Sequence, residues 1–189
     1  MTSGASRVNR GPAAAASNRR ALVAAARRVF ADRGYRAPLS SVAREAGVGQ
    51  GVLYRHFPDR LSLAFAAFDE HWAEYAALSQ DPAPDAFERL WALLVRQTID
   101  EAAFVEMVVE ARRSIPDYDG SERMRGYLAA PLARAVAQGR VDPLLSVEDV
   151  MLAQRMVYGV VATSLHPQEA RESVARALAT LSRLPPLPA

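Results

Sequence analysis

The chain has 189 residues, half of them hydrophobic, which is enough apolar material for one generous domain or two small ones. It contains no cysteine, which excludes disulfides and thiolate metal sites, and no apolar run approaches the roughly 20 residues that cross a bilayer. The net charge of +2 hides a division, since residues 1–60 carry 11 arginines against three acids and residues 61–189 carry 12 against 18.

A basic head on an acidic body suits a head that meets a polyanion, because arginines displace counterions from phosphates. On charge alone, a merely solvated basic face fits as well. Residues 1–17 are rich in Ala, Ser, Gly and Arg and lack the apolar stretch of a secretory leader. They read as a disordered arm on a cytoplasmic protein.

Beyond the arm, period-2 alternation is weak and helical periodicity dominates, so the expected fold is all-α with about nine helices. The first helix runs from about Asn18, as N-cap, to Arg33, with Leu22, Val23, Ala26, Val29 and Phe30 as its apolar stripe and Gly34 closing it. Pro38 opens a short helix, Leu39 to Ala46, in which Val42, Ala43 and Ala46 face inward. Gly47 breaks it, and a second short helix spans about Gln50 to His56, stopping before Pro58. A long helix follows, about Asp59 to Ser79, with Leu61, Phe65, Phe68, Trp72 and Tyr75 on one side.

After the break at residues 81–84, Asp85 is placed to cap a helix reaching Asp100. Another helix around Phe104 to Val109 ends near Ser114, and Ser121 to Gln138 is helical despite Pro131. Ser146, with Glu148 and Asp149 in the first turn, caps a helix to about Leu165. A last helix covers Pro167 to about Arg183, before a proline-rich tail.

Two short helices joined by a tight, glycine-containing turn form a helix-turn-helix unit. Small Ala43 and Ala46 let the helices cross closely, and Gly47 supplies the left-handed backbone of the turn. With Val42, Val48 and Leu53 packed on the first helix, the second short helix presents Gln50, Gly51, Val52, Tyr54, Arg55 and His56 outward. That polar and aromatic face suits a major groove about 12 Å wide, and its glycines suit close backbone approach.

Residues 41–60, within the stretch Arg20 to Trp72, resemble the DNA-binding domain of the TetR (tetracycline-repressor) family. The Ala-Gly-Val turn, the Leu-Tyr-x-His-Phe run and the basic residue three past the Phe agree in one register. The resemblance implies that Gln50 reads a base edge, that Tyr54 and His56 touch phosphate, and that Arg55 reaches phosphate or base. It also implies that Arg60 donates to phosphate at the start of the fourth helix. Val52 departs from the usual Thr and offers methyl groups to a thymine. Pro38 and Leu39 replace a capping Thr, a role left to Ser40 or Ser41. The arginines at 19, 20, 27, 28 and 44 read as a mainly solvated face.

The expected organisation is then an arm (1–17), a DNA-binding domain (18–60) and a ligand-binding and dimerisation domain (61–189). The body carries no motif of its own. The resemblance implies a helical pocket for a small apolar or aromatic effector, with Trp91, Phe104, Met107, Tyr127, Met151 and Tyr158 as candidate lining residues. It also implies a homodimer through the last two helices, the first of which is apolar almost all round. The implied function is a repressor that binds a near-palindromic double-stranded DNA operator and is released by the effector. An activator with the same head and a helical protein-interaction module are the alternatives. No G-x-S-x-G, P-loop or His-Glu-x-x-His is present and the three histidines are scattered, so neither enzyme activity nor a cofactor or metal is expected. His71, near Glu70 and Glu74, reads as a solvated helix face.

Overall fold

The computed structural model describes residues 11–181, and every described element is a helix. In chain order these are α1 (Gly11–Arg33), α2 (Leu39–Glu45), α3 (Gln50–His56), α4 (Arg60–Gln80), α5 (Ala86–Asp100), α6 (Ala102–Ser114), α7 (Gly120–Ala137), α8 (Val147–Thr163) and α9 (Pro167–Leu181). The chain divides after Ala67, inside α4, into two compact units.

In the first unit, α1 packs against both α2 and α3. Leu22, Ala26, Phe30, Val42, Leu53 and Phe57 are almost wholly buried. Each large apolar side chain among them contributes roughly 1.5–3 kcal/mol by leaving water. Helix α1 begins at Gly11, so Asn18 lies inside the helix and caps nothing. The run of four alanines at 13–16 explains this, because Ala is the best helix former and extends the helix past the polar residue. The rest of the expected arm, residues 1–10, lies outside the described residues.

Gly34, at φ 76°, ends α1 with its N–H on the Phe30 carbonyl at 3.0 Å. Ala46 and Val48, expected to face inward, are partly buried. On α4, Leu63 and Ala64 take the inner positions expected for Leu61 and Phe65, which are half-buried.

In the second unit, α5 packs against α6, α7, α8 and α9. Its centre is an aromatic cluster in which Trp72 and Tyr75 each lie edge-on to or tilted against Phe104, with centroids at 6.0 and 6.5 Å. His71 belongs to this cluster and not to a solvated face. Its ring meets Phe104 at 4.8 Å, and Nε2 lies 2.9 Å from a Glu101 carboxylate oxygen. Burial pushes the Tyr75 phenol far above its ordinary pKa, so it stays a neutral donor to the Gln97 side-chain carbonyl.

The cap expected at Ser146 forms as a reciprocal box. The Asp149 N–H donates to the Ser146 hydroxyl at 3.2 Å, and the Ser146 N–H donates to the Asp149 carboxylate at 2.9 Å. Asp85 occupies the N-cap position of α5 without a side-chain cap bond, its carboxylate lying 3.7 Å from Arg89. The expected end of the last helix near Arg183 and the tail lie outside the described residues.

Candidate functional site

The turn between α2 and α3 is fixed by two backbone bonds. The Val48 N–H reaches the Ala43 carbonyl at 3.0 Å and the Gly47 N–H reaches the Arg44 carbonyl at 3.1 Å. This double closure needs a left-handed residue at its centre, and Gly47 provides it with φ 68°. Gly49 then opens α3 in an extended conformation, its carbonyl accepting from Val52 and Leu53.

Leu53 and Phe57 anchor α3 from beneath. Because they take the inner side, Gln50, Gly51, Tyr54 and Arg55 are left on the outside, with Tyr54 50% exposed. Val52 and His56 are half-exposed at the flanks. A methyl group placed on Gly49 or Gly51 would meet nothing within 4 Å. The protein's own packing therefore does not require either glycine.

The basic residues of the head fall into two sets. Arg27 donates from Nε to the Ala67 carbonyl at 2.6 Å, Arg28 pairs with Glu45 at 2.9 Å, and Arg19 stacks over the Phe57 ring at 4.8 Å. Arg27, partly buried, braces the unit, which corrects its reading as part of a solvated face, whereas Arg19 and Arg28 are exposed as that reading has them. Arg20, Arg36, Arg44 and Arg55 are exposed and make no ion pair among the described residues.

Arg60 also has a structural task. Its NH1 group donates to the carbonyls of Tyr35 at 2.6 Å and Ala37 at 2.5 Å, and its guanidinium lies over the Tyr35 ring at 5.5 Å. The guanidinium thus ties the start of α4 to the segment between α1 and α2. Pro38 occupies the N-cap position of α2 without any side-chain cap bond.

The second unit holds an open-sided cavity of about 570 Å³. Phe104, Met151 and Tyr158, three of the six candidate lining residues, stand on its wall. The other three do not. Met107 is wholly buried in the core, Trp91 borders a separate shallow groove beside Arg96 and Asp100, and Tyr127 packs towards Trp72 at 6.3 Å.

Residues not anticipated complete the wall. Gln154 donates from its amide to the Thr98 hydroxyl at 3.2 Å, while Thr98 donates to the Leu94 carbonyl at 2.8 Å. That chain orients the Gln154 amide and leaves its carbonyl oxygen as an acceptor. Arg112, Arg113 and Arg155 also line the space, which is therefore not purely apolar or aromatic.

On α8, expected to be apolar almost all round, Val150 and Val157 are the buried residues, while Leu152 is 50% and Met156 40% exposed. Met156, Val160, Val174 and Leu178 border an apolar groove between α8 and α9. No helix among the described residues is long and apolar enough to cross a membrane.

Comparison with known proteins agrees with this geometry. The family model described as bacterial regulatory proteins, tetR family, matches residues 22–67. Over 51 residues the chain is 45% identical to the HTH-type transcriptional activator FasR of Mycolicibacterium smegmatis, a match spanning 26% of this chain and only 23% of that protein. Among solved structures, the TetR transcriptional regulator SCO0520 from Streptomyces coelicolor is 27% identical, with 90% of this chain and 99% of that one covered and a TM-score of 0.57. The TetR transcription regulatory protein from Mycobacterium vanbaalenii is 25% identical, covering 76% and 90%, with a TM-score of 0.55.

Proposed function

We propose that the chain, whose residues 22–67 match the tetR family model of bacterial regulatory proteins, is a dimeric transcriptional repressor of that family, released from its operator by a small molecule. The observation that carries the DNA-binding part is the division of α3, with Leu53 and Phe57 buried and Gln50, Tyr54 and Arg55 outside.

In this reading α3 enters the major groove. Gln50 donates to and accepts from an adenine edge, and the Val52 methyls meet a thymine methyl. Tyr54 and His56 hold phosphate oxygens, and Arg55 adds charge there or reaches a base. Gly51 lets the backbone come close to the duplex. Arg60 acts first as a brace, and the N–H groups it does not spend on Tyr35 and Ala37 face phosphate with help from the α4 dipole.

The occupant of the open α8–α9 face is a second copy of the chain. Apolar side chains as exposed as Leu152 and Met156 fit a helical interface better than a solvated surface. Two copies place their reading helices about 34–36 Å apart on successive major grooves, hence a near-palindromic operator. The cavity in the body holds the effector, which releases DNA only if it binds the DNA-free state more tightly than the bound one.

The test is a gel shift on the DNA upstream of the protein's own gene at several salt concentrations, paired with a reporter driven by the same DNA. Specific, salt-weakened binding together with raised reporter output on deletion of the protein supports a repressor. Binding with lowered output would make it an activator, as FasR is named. Absence of specific binding would favour a protein-interaction module.

A further inference from the structure

We infer that the effector is an organic anion, an apolar body carrying a carboxylate- or sulfonate-type head, held by Arg112, Arg113 and Arg155. The inference rests on reading the cavity as the effector site and adds the chemical class of what fills it. Its ground is a local reversal of charge. Residues 61–189 hold 12 arginines against 18 acids, yet three arginines and no Asp or Glu border this cavity.

Other arginines of the body are committed elsewhere. Arg89 pairs with Asp81, Arg125 with Glu148 at 2.6 Å, Arg140 with Glu88 at 2.7 Å and Arg171 with Asp100 at 2.7 Å. Arg134 donates to the Asp81 carbonyl at 2.7 Å, and Arg123 stacks over Trp72 at 4.4 Å. Arg112, Arg113 and Arg155 stand exposed at the cavity's rim and form no ion pair among the described residues; Arg96 and Arg176 form none either, but neither borders this cavity. A cleft lined by one sign of charge focuses its field on the space between, and an anionic head there relieves the mutual repulsion.

A purely structural role explains only part of this. Arg112 and Arg113 stand in the last turn of α6, where a cation complements the helix dipole. Arg155, exposed in mid-α8, has neither a helix end nor an acid on its face to serve, with Met151, Leu152, Tyr158 and Gly159 at the neighbouring positions. The remaining wall, including Trp72, Phe104 and Leu128, suits an aromatic or alkyl body. A volume of about 570 Å³ lies within the usual range for small-molecule sites.

Two fluorescent probes that differ by a single sulfonate test the inference on the full chain: 8-anilino-1-naphthalenesulfonate and the neutral N-phenyl-1-naphthylamine. The wild type should bind the sulfonate at least ~10-fold more tightly, as charge-assisted hydrogen bonds predict. Combined Arg112→Gln, Arg113→Gln and Arg155→Gln should erase that preference while leaving the neutral probe within about twofold. If the triple variant melts early, Arg155→Gln alone should reduce the preference and Arg155→Lys should restore most of it.

Equal affinity for both probes overturns the anion and leaves the cavity reading standing. A sulfonate preference untouched by the arginine variants overturns the assignment to these residues. Binding of neither probe overturns both the inference and the cavity as an effector site.

Discussion

The head and the body use the same 3.6-residue periodicity for different ends. In the head, function lies in what points outward. Leu53 and Phe57 hold α3 down, so the polar and aromatic positions between them stand clear of the core. In the body, the proposed function lies in a cavity among α4–α8 and an exposed apolar face on α8 and α9. An outward face is specified by a few residues in register, whereas an internal space is specified by the absence of packing from many.

This contrast can be broken in graded ways. The largest effect belongs to the body's uncovered face. On the proposed dimer, Met156→Glu puts an uncompensated charge from each copy into the interface, so the dimer should dissociate in sedimentation. Operator affinity should then fall by ~100-fold or more, because two linked heads bind far more tightly than one. A variant that stays dimeric and binds normally would mean the open face has another occupant.

Next comes Arg60→Ala, which removes two hydrogen bonds to backbone carbonyls and a stacked cation. The head should lose about 1–3 kcal/mol in denaturant unfolding, and DNA of every sequence should bind more weakly. The salt dependence separates its two roles. A slope of log affinity against log salt that is shallower by about one marks a lost phosphate contact, and an unchanged slope marks a brace alone.

The smallest effect, and the one with opposed signs, is Gly51→Ala. With open space around the added methyl and better helix propensity, the head should gain up to about 1 kcal/mol of stability, yet operator affinity should fall several-fold. If affinity is unchanged, the backbone does not approach DNA closely at this point.

How much was legible in the sequence follows the same division. The span Gln50–His56 was readable to the residue, because Gly47 needs its left-handed φ and Pro58 stops any continuation. The capping box at Ser146 was readable for a similar reason, being a local exchange of two bonds. The start of α1 was not. Asn18 has the side chain of a cap, but the alanines before it carry the helix back to Gly11.

Among the head arginines, only tertiary structure separates Arg27 and Arg60, which bond distant carbonyls, from Arg55, which stays exposed. The cavity wall was the least legible part. Met107 and Phe104 are alike in sequence as apolar residues of α6, and long-range packing alone puts one in the core and the other on the wall. One overlooked signal was available, however. Arg112 and Arg155 have no acid three or four residues away, unlike Arg89 with Asp85 or Arg125 with Glu122.

The most direct test of the account is selection of random duplexes by the wild type and by Gln50→Ala in parallel, followed by sequencing of what each retains. The account predicts an inverted repeat with half-sites about one helical turn apart, and a loss of preference in the variant at one symmetric pair of positions with the others intact. Retained sequences without two-fold symmetry, or an identical preference in both proteins, would contradict it.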